Sequence, residues 1–311
     1  MNYNEALEKL EKYGQEHVLK YYDELDDSQK KELLAQIEAT DFSVVALCEN
    51  GLTEIEKGKI SPLAAMQLSE IEAQENVKVL LAVESGSRAW GFASPDSDYD
   101  VRFIYVRAMA DYLRLDEPKD VIEWQLDEVL DINGWDLKKA LVQFRRGNAT
   151  LFEWSNSPVV YWKAAEWDKI YEVAKEYFSA KAGINHYYCT ARNTFEGYLQ
   201  GDMVKYKKYF YALRPLLACR YIEEYNCPPP VLFEELMKME LPGDFRAGIE
   251  ELLEVKKVTV EGELNPQMPV IYEFIKGELE NWKKKGDEMA DDHRKEWDTL
   301  NRVFVEVINQ I

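Results

Sequence analysis

Hydrophobic positions change period along the chain. In residues 1–75 they recur at helical spacing. Leu7, Leu10 and Tyr13 lie three apart on one face of MNYNEALEKLEKYG, and SQKKELLAQIEA follows an acidic DELDD approach that suits a helix dipole. A third helix is expected over PLAAMQLSEIEAQ, with Pro62 in its first turn. From residue 77 the pattern is that of strands. VKVLLAV (77–83) is short, β-branched and nearly continuously apolar, as a buried strand is. In DVRFIYVR (100–107), Val101, Phe103 and Tyr105 alternate with Arg102, Ile104 and Val106, giving one apolar face and one mixed face. DVIEWQ (120–125) and EVLDING (128–134) read as two more strands joined by a tight turn at Leu126 and Asp127. GWDLKKALVQFRRG reads as an amphipathic helix capped by Asp136 and stopped at Gly147. From about residue 160 the pattern is helical to the end, broken at CPPP (227–230). The expected architecture is α+β: a helical extension over 1–75, a small mixed sheet with flanking helices over 76–158, and a helical domain over 159–311.

Charge narrows the choice of partner. The net charge is −20, distributed as −10 over residues 1–75, zero over 78–220 and −10 beyond 220. A neutral middle with acidic flanks argues against a broad face for long DNA or RNA, while leaving room for a local basic pocket. No apolar run approaches the ~20 residues of a membrane helix, and the acidic N-terminus lacks the pattern of a signal peptide. A cytoplasmic protein is expected. Cys48, Cys189, Cys219 and Cys227, with His17, His186 and His293, show no zinc-type spacing, so free thiols are expected.

The chemistry concentrates in ESGSRAWGFASPDSDYDVR (84–102). Asp98 and Asp100 stand two apart where a strand begins, so both carboxylates point to one face of the sheet. Like charges so close repel, and a divalent cation relieves them. Mg²⁺ binds through a few carboxylates and shares its other positions with water and substrate phosphates. Two such ions about 3.5–4 Å apart can hold both the attacking and the leaving oxygen of a phosphoryl-type displacement. Gly86 lets a phosphate chain approach the backbone, the Ser87 hydroxyl can bind phosphate oxygens, and Arg88 adds a bidentate fork. A third carboxylate is expected on a neighbouring strand: Asp131 is the first choice and Glu123 the second, the facing of that strand being open. The plainer readings are a polar turn for Asp98 and Asp100, a salt bridge for Arg88, and for Asp131 a turn leading into Asn133-Gly134.

Gly-Ser, a gap and then Asp-x-Asp resembles the signature of the DNA polymerase beta nucleotidyltransferase superfamily. With INGWDLKKAL, GNATLFEWSNSPVVY and KKYFYALRPLLACR, residues 77–255 resemble its RNA-ligase-associated branch. That resemblance implies a polymerase-beta-like mixed sheet with a helical domain facing the active site. It implies magnesium-dependent transfer of a nucleoside monophosphate from an NTP, with Asp98, Asp100 and Asp131 as catalytic metal ligands for two Mg²⁺. It places Lys208 and Arg214 beside Gly86, Ser87 and Arg88 as nucleotide contacts. The acceptor stays open, an RNA end being suggested by association.

Residues 1–75 tell a different story. GQEHVLKYYDELDDSQKKELLAQIEATDF and KGKISPLAAMQLSEIE are similar to the helical N-terminus of UDP-sugar pyrophosphorylases. Val83 and Glu84, however, stand where that family has phosphate-loop glycines. A sugar-1-phosphate uridylyltransferase is therefore one alternative, beside a protein-AMPylating enzyme of toxin–antitoxin type and a non-catalytic nucleotide or RNA sensor.

Overall fold

The computed structural model describes residues 1–12, 16–19, 22, 25–39, 62–93, 97–125, 130–258 and 263–310. The chain divides into two compact units, Met1–Gln74 and Glu75–Ile311.

In the first unit, helix α1 (Tyr3–Glu11) opens on a capping box, in which the Asn2 side chain accepts from the Glu5 N–H and the Glu5 carboxylate accepts from the Asn2 N–H. Its Ala6 and Leu10 pack with Leu19 and with Ile37 of helix α2 (Asp27–Ala39), and Leu7 lies against them. Leu7 and Leu10 thus take the face their spacing gives them, whereas Tyr13 lies outside the described residues. Helix α3 (Pro62–Glu75) starts at its proline, as expected.

The second unit is built on a mixed sheet of five strands, β1 (Val77–Glu84), β2 (Tyr99–Arg107), β3 (Val121–Gln125), β4 (Leu130–Asp136) and β5 (Val160–Lys163), in the order β3-β4-β2-β1-β5. Only β2 and β4 run parallel, and the other neighbours are antiparallel. Between β1 and β2 comes the short helix α4 (Gly86–Trp90), the segment that carries Gly-Ser. Asn133-Gly134, an attractive turn as a dipeptide, lies inside β4. A Cβ on Gly134 would meet the Phe103 ring at 2.1 Å, so the glycine makes room for an aromatic ring of the neighbouring strand.

One face of the sheet packs on helices. Leu80, Leu81, Ile104 and Val106 meet helix α5 (Leu137–Arg145) through Leu137, Ala140, Leu141 and Phe144. Asp136 caps α5 by accepting from the Lys138 N–H, and Gly147 follows it at φ 68°, both as expected. Helices α6 (Ala149–Ser155) and α7 (Ala165–Ala174) complete this layer. Each large aliphatic or phenyl side chain so buried contributes about 1.5–3 kcal/mol. A second core is made by helices α8 (Ala180–Tyr198), α9 (Tyr206–Tyr225), α10 (Gly243–Val258) and α11 (Pro269–Glu288).

Three features depart from the sequence reading, which closes the sheet segment at residue 158 and reads only helices beyond about 160. Met203–Val204 and Asn265–Pro266 pair as a separate two-stranded antiparallel sheet. Val160–Lys163 is an edge strand of the sheet. The last helix, α12 (Asp298–Ile308), places Leu300, Val303 and Val307 in the sheet-side core. The chain leaves the sheet layer for the helical core and then returns to it.

Cys189, Cys219 and Cys227 are free thiols, and Cys48 lies outside the described residues. Among the described residues, no helix is long and apolar enough to cross a membrane.

Candidate active site

Strand β1 ends at Glu84, which is fully buried. The Ser85 N–H then donates to the Asp100 carbonyl at 2.8 Å, tying the start of α4 to the start of β2. Gly86 has φ +62°, and a Cβ there would stand 2.3 Å from Asp100 Oδ2. Only glycine accepts both that backbone and that approach, so the Gly-Ser turn lies directly on the carboxylate.

Asp100 is aligned with Asp131 across the parallel β2–β4 pair. Neighbouring strands lie about 4.8 Å apart, so residues in register present their side chains together. Arg102, two residues past Asp100 and on the same face, binds both acids: its Nη2 donates to Asp131 Oδ2 at 2.7 Å and to Asp100 Oδ1 at 3.1 Å. Burial pushes the Asp100 carboxyl up, and the neighbouring Asp131 and Asp98 push the same way. Arg102 and Lys207 oppose them, and the net direction is upward. Asp98 is exposed at the approach to β2. Glu123, the other candidate for the third acid, is exposed on β3 opposite Asn133, in a strand beyond β4. The register therefore brings Asp131, and not Glu123, alongside Asp100.

Glu84 anchors this arrangement from below. Its Oε1 accepts from the Asp100 N–H at 2.8 Å and its other oxygen accepts from the Tyr161 hydroxyl of β5, while the Ser157 hydroxyl donates to its carbonyl at 2.6 Å. Burial raises its carboxyl to about 7, against the lowering effect of those two hydrogen bonds to the side chain.

The expected phosphate contacts divide into two groups. Gly86 lies beside Asp100 at the start of α4, and Ser87, next in the chain, is buried. Arg88 is turned to the backbone: it donates to the carbonyls of Ser97, at 2.6 Å from Nη2, and Asp98, at 3.1 Å, and its guanidinium lies 3.7 Å from the centre of the Tyr99 ring. It braces the segment that carries Asp98. Arg214 is 2% exposed. It donates to Glu153 Oε1 at 2.8 Å and to the Val231 carbonyl at 3.1 Å, and lies over the Trp90 ring at 4.6 Å. Burial alone would raise the Glu153 carboxyl, but Arg214 and the Tyr187 hydroxyl more than reverse that and hold it low. Arg214 is thus a buried residue behind α4, bound through Nε and Nη1 with its Nη2 left without a hydrogen-bond partner. Lys208 sits over the Tyr198 ring at 4.1 Å, and burial and its lysine neighbours lower its ammonium.

Three participants escaped the sequence reading. Arg102 could have been found by the same alternation that paired Asp98 with Asp100. Lys207, whose charge reaches Asp100, lies one position from the lysine chosen on α9. Glu84 enters the sequence reading only as a residue standing where another family has a phosphate-loop glycine, because burial at a strand end is not visible in the local pattern.

Among the described residues, Asp291, Asp292 and His293 form a group with ligand atoms within 4.8 Å of one another. Their donors and acceptors are used within the protein. Asp292 accepts from the Ser179 hydroxyl and the Ala180 N–H at the start of α8, and the His293 ring bridges Asp291 and the Arg146 carbonyl. Capping accounts for this group.

Comparisons with known proteins bear on the family of the chain. The chain is 40% identical over 247 residues to the uncharacterized protein YcgL of Bacillus subtilis (strain 168), covering 79% of this chain and 95% of that protein. A crystal structure of a nucleotidyltransferase-like protein from Exiguobacterium sibiricum 255-15 shares 14% identity over 71% of this chain and 72% of that one, with a TM-score of 0.24. The family model for RlaP, the RNA repair pathway DNA polymerase beta family, matches residues 60–306. The match takes in α3, part of the segment likened to UDP-sugar pyrophosphorylases, and nearly all of the helical region. By the extent of that match and the identity to its Bacillus relative, the chain belongs to the RNA repair pathway DNA polymerase beta family.

Proposed function

We propose that the protein transfers a nucleoside monophosphate from an NTP to an acceptor hydroxyl, an RNA end being the acceptor class that the family description favours. The observation that carries this reading is the pairing of Asp100 with Asp131 in register, directly against a glycine turn. Asp98, exposed at the approach to β2, supplies a third carboxylate on the solvent side.

The donor set fits magnesium. All three side chains offer hard oxygens, Asp100 is raised by burial and, to a lesser extent, by its acidic neighbours Asp131 and Asp98, and a cationic guanidinium already lies between two of them. Asp98, Asp100 and Asp131 would hold two Mg²⁺, which when bound acidify the acceptor hydroxyl and offset the charge of the triphosphate. Gly86 lets the phosphate chain come against the backbone of α4. Ser87 lies beside it, and Lys207 and Lys208 add positive charge from α9. Glu84 fixes the Asp100 N–H and so sets the aim of its carboxylate. In the transfer, the acceptor oxygen forms a bond to the α-phosphorus, the bond from that phosphorus to the β-bridging oxygen breaks, and pyrophosphate leaves. The acceptor proton passes to solvent. Val83 and Glu84, at the place of the pyrophosphorylase glycines, are buried strand residues, which disfavours a sugar-phosphate acceptor.

The test offers the protein Mg²⁺ and each α-labelled NTP in turn, with total RNA, total protein and sugar phosphates as separate acceptor pools. Label is expected in RNA. Label confined to protein would replace the acceptor class with the AMPylating alternative, and binding of NTP with no transfer in any pool would favour a sensor.

A further inference from the structure

Arg102 makes more contacts with the acidic pair than binding one carboxylate requires. Its Nη2 spans Asp131 Oδ2 and Asp100 Oδ1, and its Nη1 donates to the carbonyls of Val101 at 3.0 Å and Asp131 at 3.1 Å. Its side chain is 18% exposed, less than that of either partner, at 35% for Asp100 and 53% for Asp131. The guanidinium is therefore set into the sheet face between two acids that the proposed function assigns to metal binding. A divalent cation held between the same two carboxylates competes with Arg102, which already uses one oxygen of each, and it is repelled by the positive charge beside it.

A second charge nearby suggests how the conflict is resolved. Lys207 reaches Asp100 electrostatically from α9, so this end of the site already carries more than one positive side chain. An incoming triphosphate offers the guanidinium a partner of equal geometry, since the planar fork that binds a carboxylate also binds a phosphate.

We propose that Arg102 is a resident counter-cation that couples metal binding to triphosphate binding: it occupies the Asp100–Asp131 pair in the free protein and gives up Asp131 when a triphosphate supplies it with a new anion. This rests on the proposed function, in which those acids hold metal. Linkage makes the coupling reciprocal, so metal and nucleotide each raise the affinity of the other by the same factor. The free protein then binds divalent cations weakly despite its net charge of −20.

The test measures Mn²⁺ bound to the full chain by the loss of the free-ion electron paramagnetic resonance signal. Background from other acids is taken from Asp98→Asn/Asp100→Asn. Without nucleotide, Arg102→Gln is expected to bind Mn²⁺ about 10-fold more tightly than wild type, because the competing cation is gone, a single charge-assisted bond being of that order. Adding Asp131→Asn should erase the gain. The α,β-methylene analogues of the four ribonucleoside triphosphates, each corrected for the Mn²⁺ it holds alone, should raise binding in wild type by a similar factor for at least one base. In Arg102→Gln that enhancement should fall below about 3-fold. Arg102→Lys keeps the charge without the fork and should lie between the two, which preserves the test if the glutamine variant does not fold. Equal or weaker Mn²⁺ binding in folded Arg102→Gln would overturn the coupling and leave the transferase reading intact. Wild type and Arg102→Gln both binding no more than the Asp98→Asn/Asp100→Asn background, with or without nucleotide, would overturn both.

Discussion

Asp100 has its carboxylate against Arg102 and Gly86 and its backbone N–H on Glu84. Substitutions around it separate geometry from charge. Gly86→Ala introduces a Cβ 2.3 Å from Asp100 Oδ2 at a φ of +62°. It should reduce transfer by about 100-fold through misplacement, the cost typical of a displaced reacting group, while unfolding remains cooperative; single-turnover rates check this. Asp131→Asn should cost at least as much, whereas Glu123→Gln should stay within about 2-fold; the reverse order would give the third-acid role to Glu123. Glu84 offers a pH signature. Its carboxyl is pushed from 4.5 to about 7 in the folded protein. Between those values the folded state keeps a proton that the unfolded state has lost, so this group lowers stability as pH rises through that window. Glu84→Gln removes the titration. Its Tm relative to wild type should therefore climb between about pH 4.5 and 7, and a difference constant with pH would refute the assignment. Much of this site was legible as sequence: Gly86, Asp98 and Asp100 follow from spacing alone, and Asp131 from the need for a neighbour. Arg88 and Arg214, expected as nucleotide contacts, also hold backbone carbonyls, which their sequence does not show, because a guanidinium that binds phosphate and one that braces a backbone have the same local pattern.

At the scale of elements, the site depends on β2 and β4 lying parallel in register, and β3 makes that possible by taking the chain back to the β4 start. The long apolar runs of β1 and β2 announced themselves, and so did α5 with its aspartate cap and glycine stop. Strand β5 did not. It has four residues, and Trp162 and Lys163 face outward, too short a stretch to show a period. Its role is nonetheless specific, because Tyr161 reaches Glu84 from it. Helix α12 was read as helix, but its return to the sheet is a matter of long-range packing that no local pattern carries. Leu300, 2% exposed in that core, provides the check. Leu300→Ala should lower the unfolding free energy by about 2–5 kcal/mol, read from the urea midpoint at unchanged slope. A loss below 1 kcal/mol would mean that α12 does not hold the sheet layer.

For the whole molecule, charge and family membership set what the site can be offered. A net −20 with a neutral centre favours a substrate that presents a few phosphates to a pocket over one that lies along a surface. Long duplex DNA should therefore bind no tighter than the ~10⁻⁴–10⁻⁶ M of non-specific contacts at physiological salt, and a mobility shift at much lower concentration would contradict this. Nucleotide transfer is proposed to depend on Asp98, Asp100 and Asp131. Its most direct test is the release of pyrophosphate together with transfer of α-label, in wild type and in Asp98→Asn/Asp100→Asn, each shown to be folded. The two products are expected in equal amounts from wild type with Mg²⁺, and neither above background from the variant. Equal transfer by the two proteins would contradict that dependence.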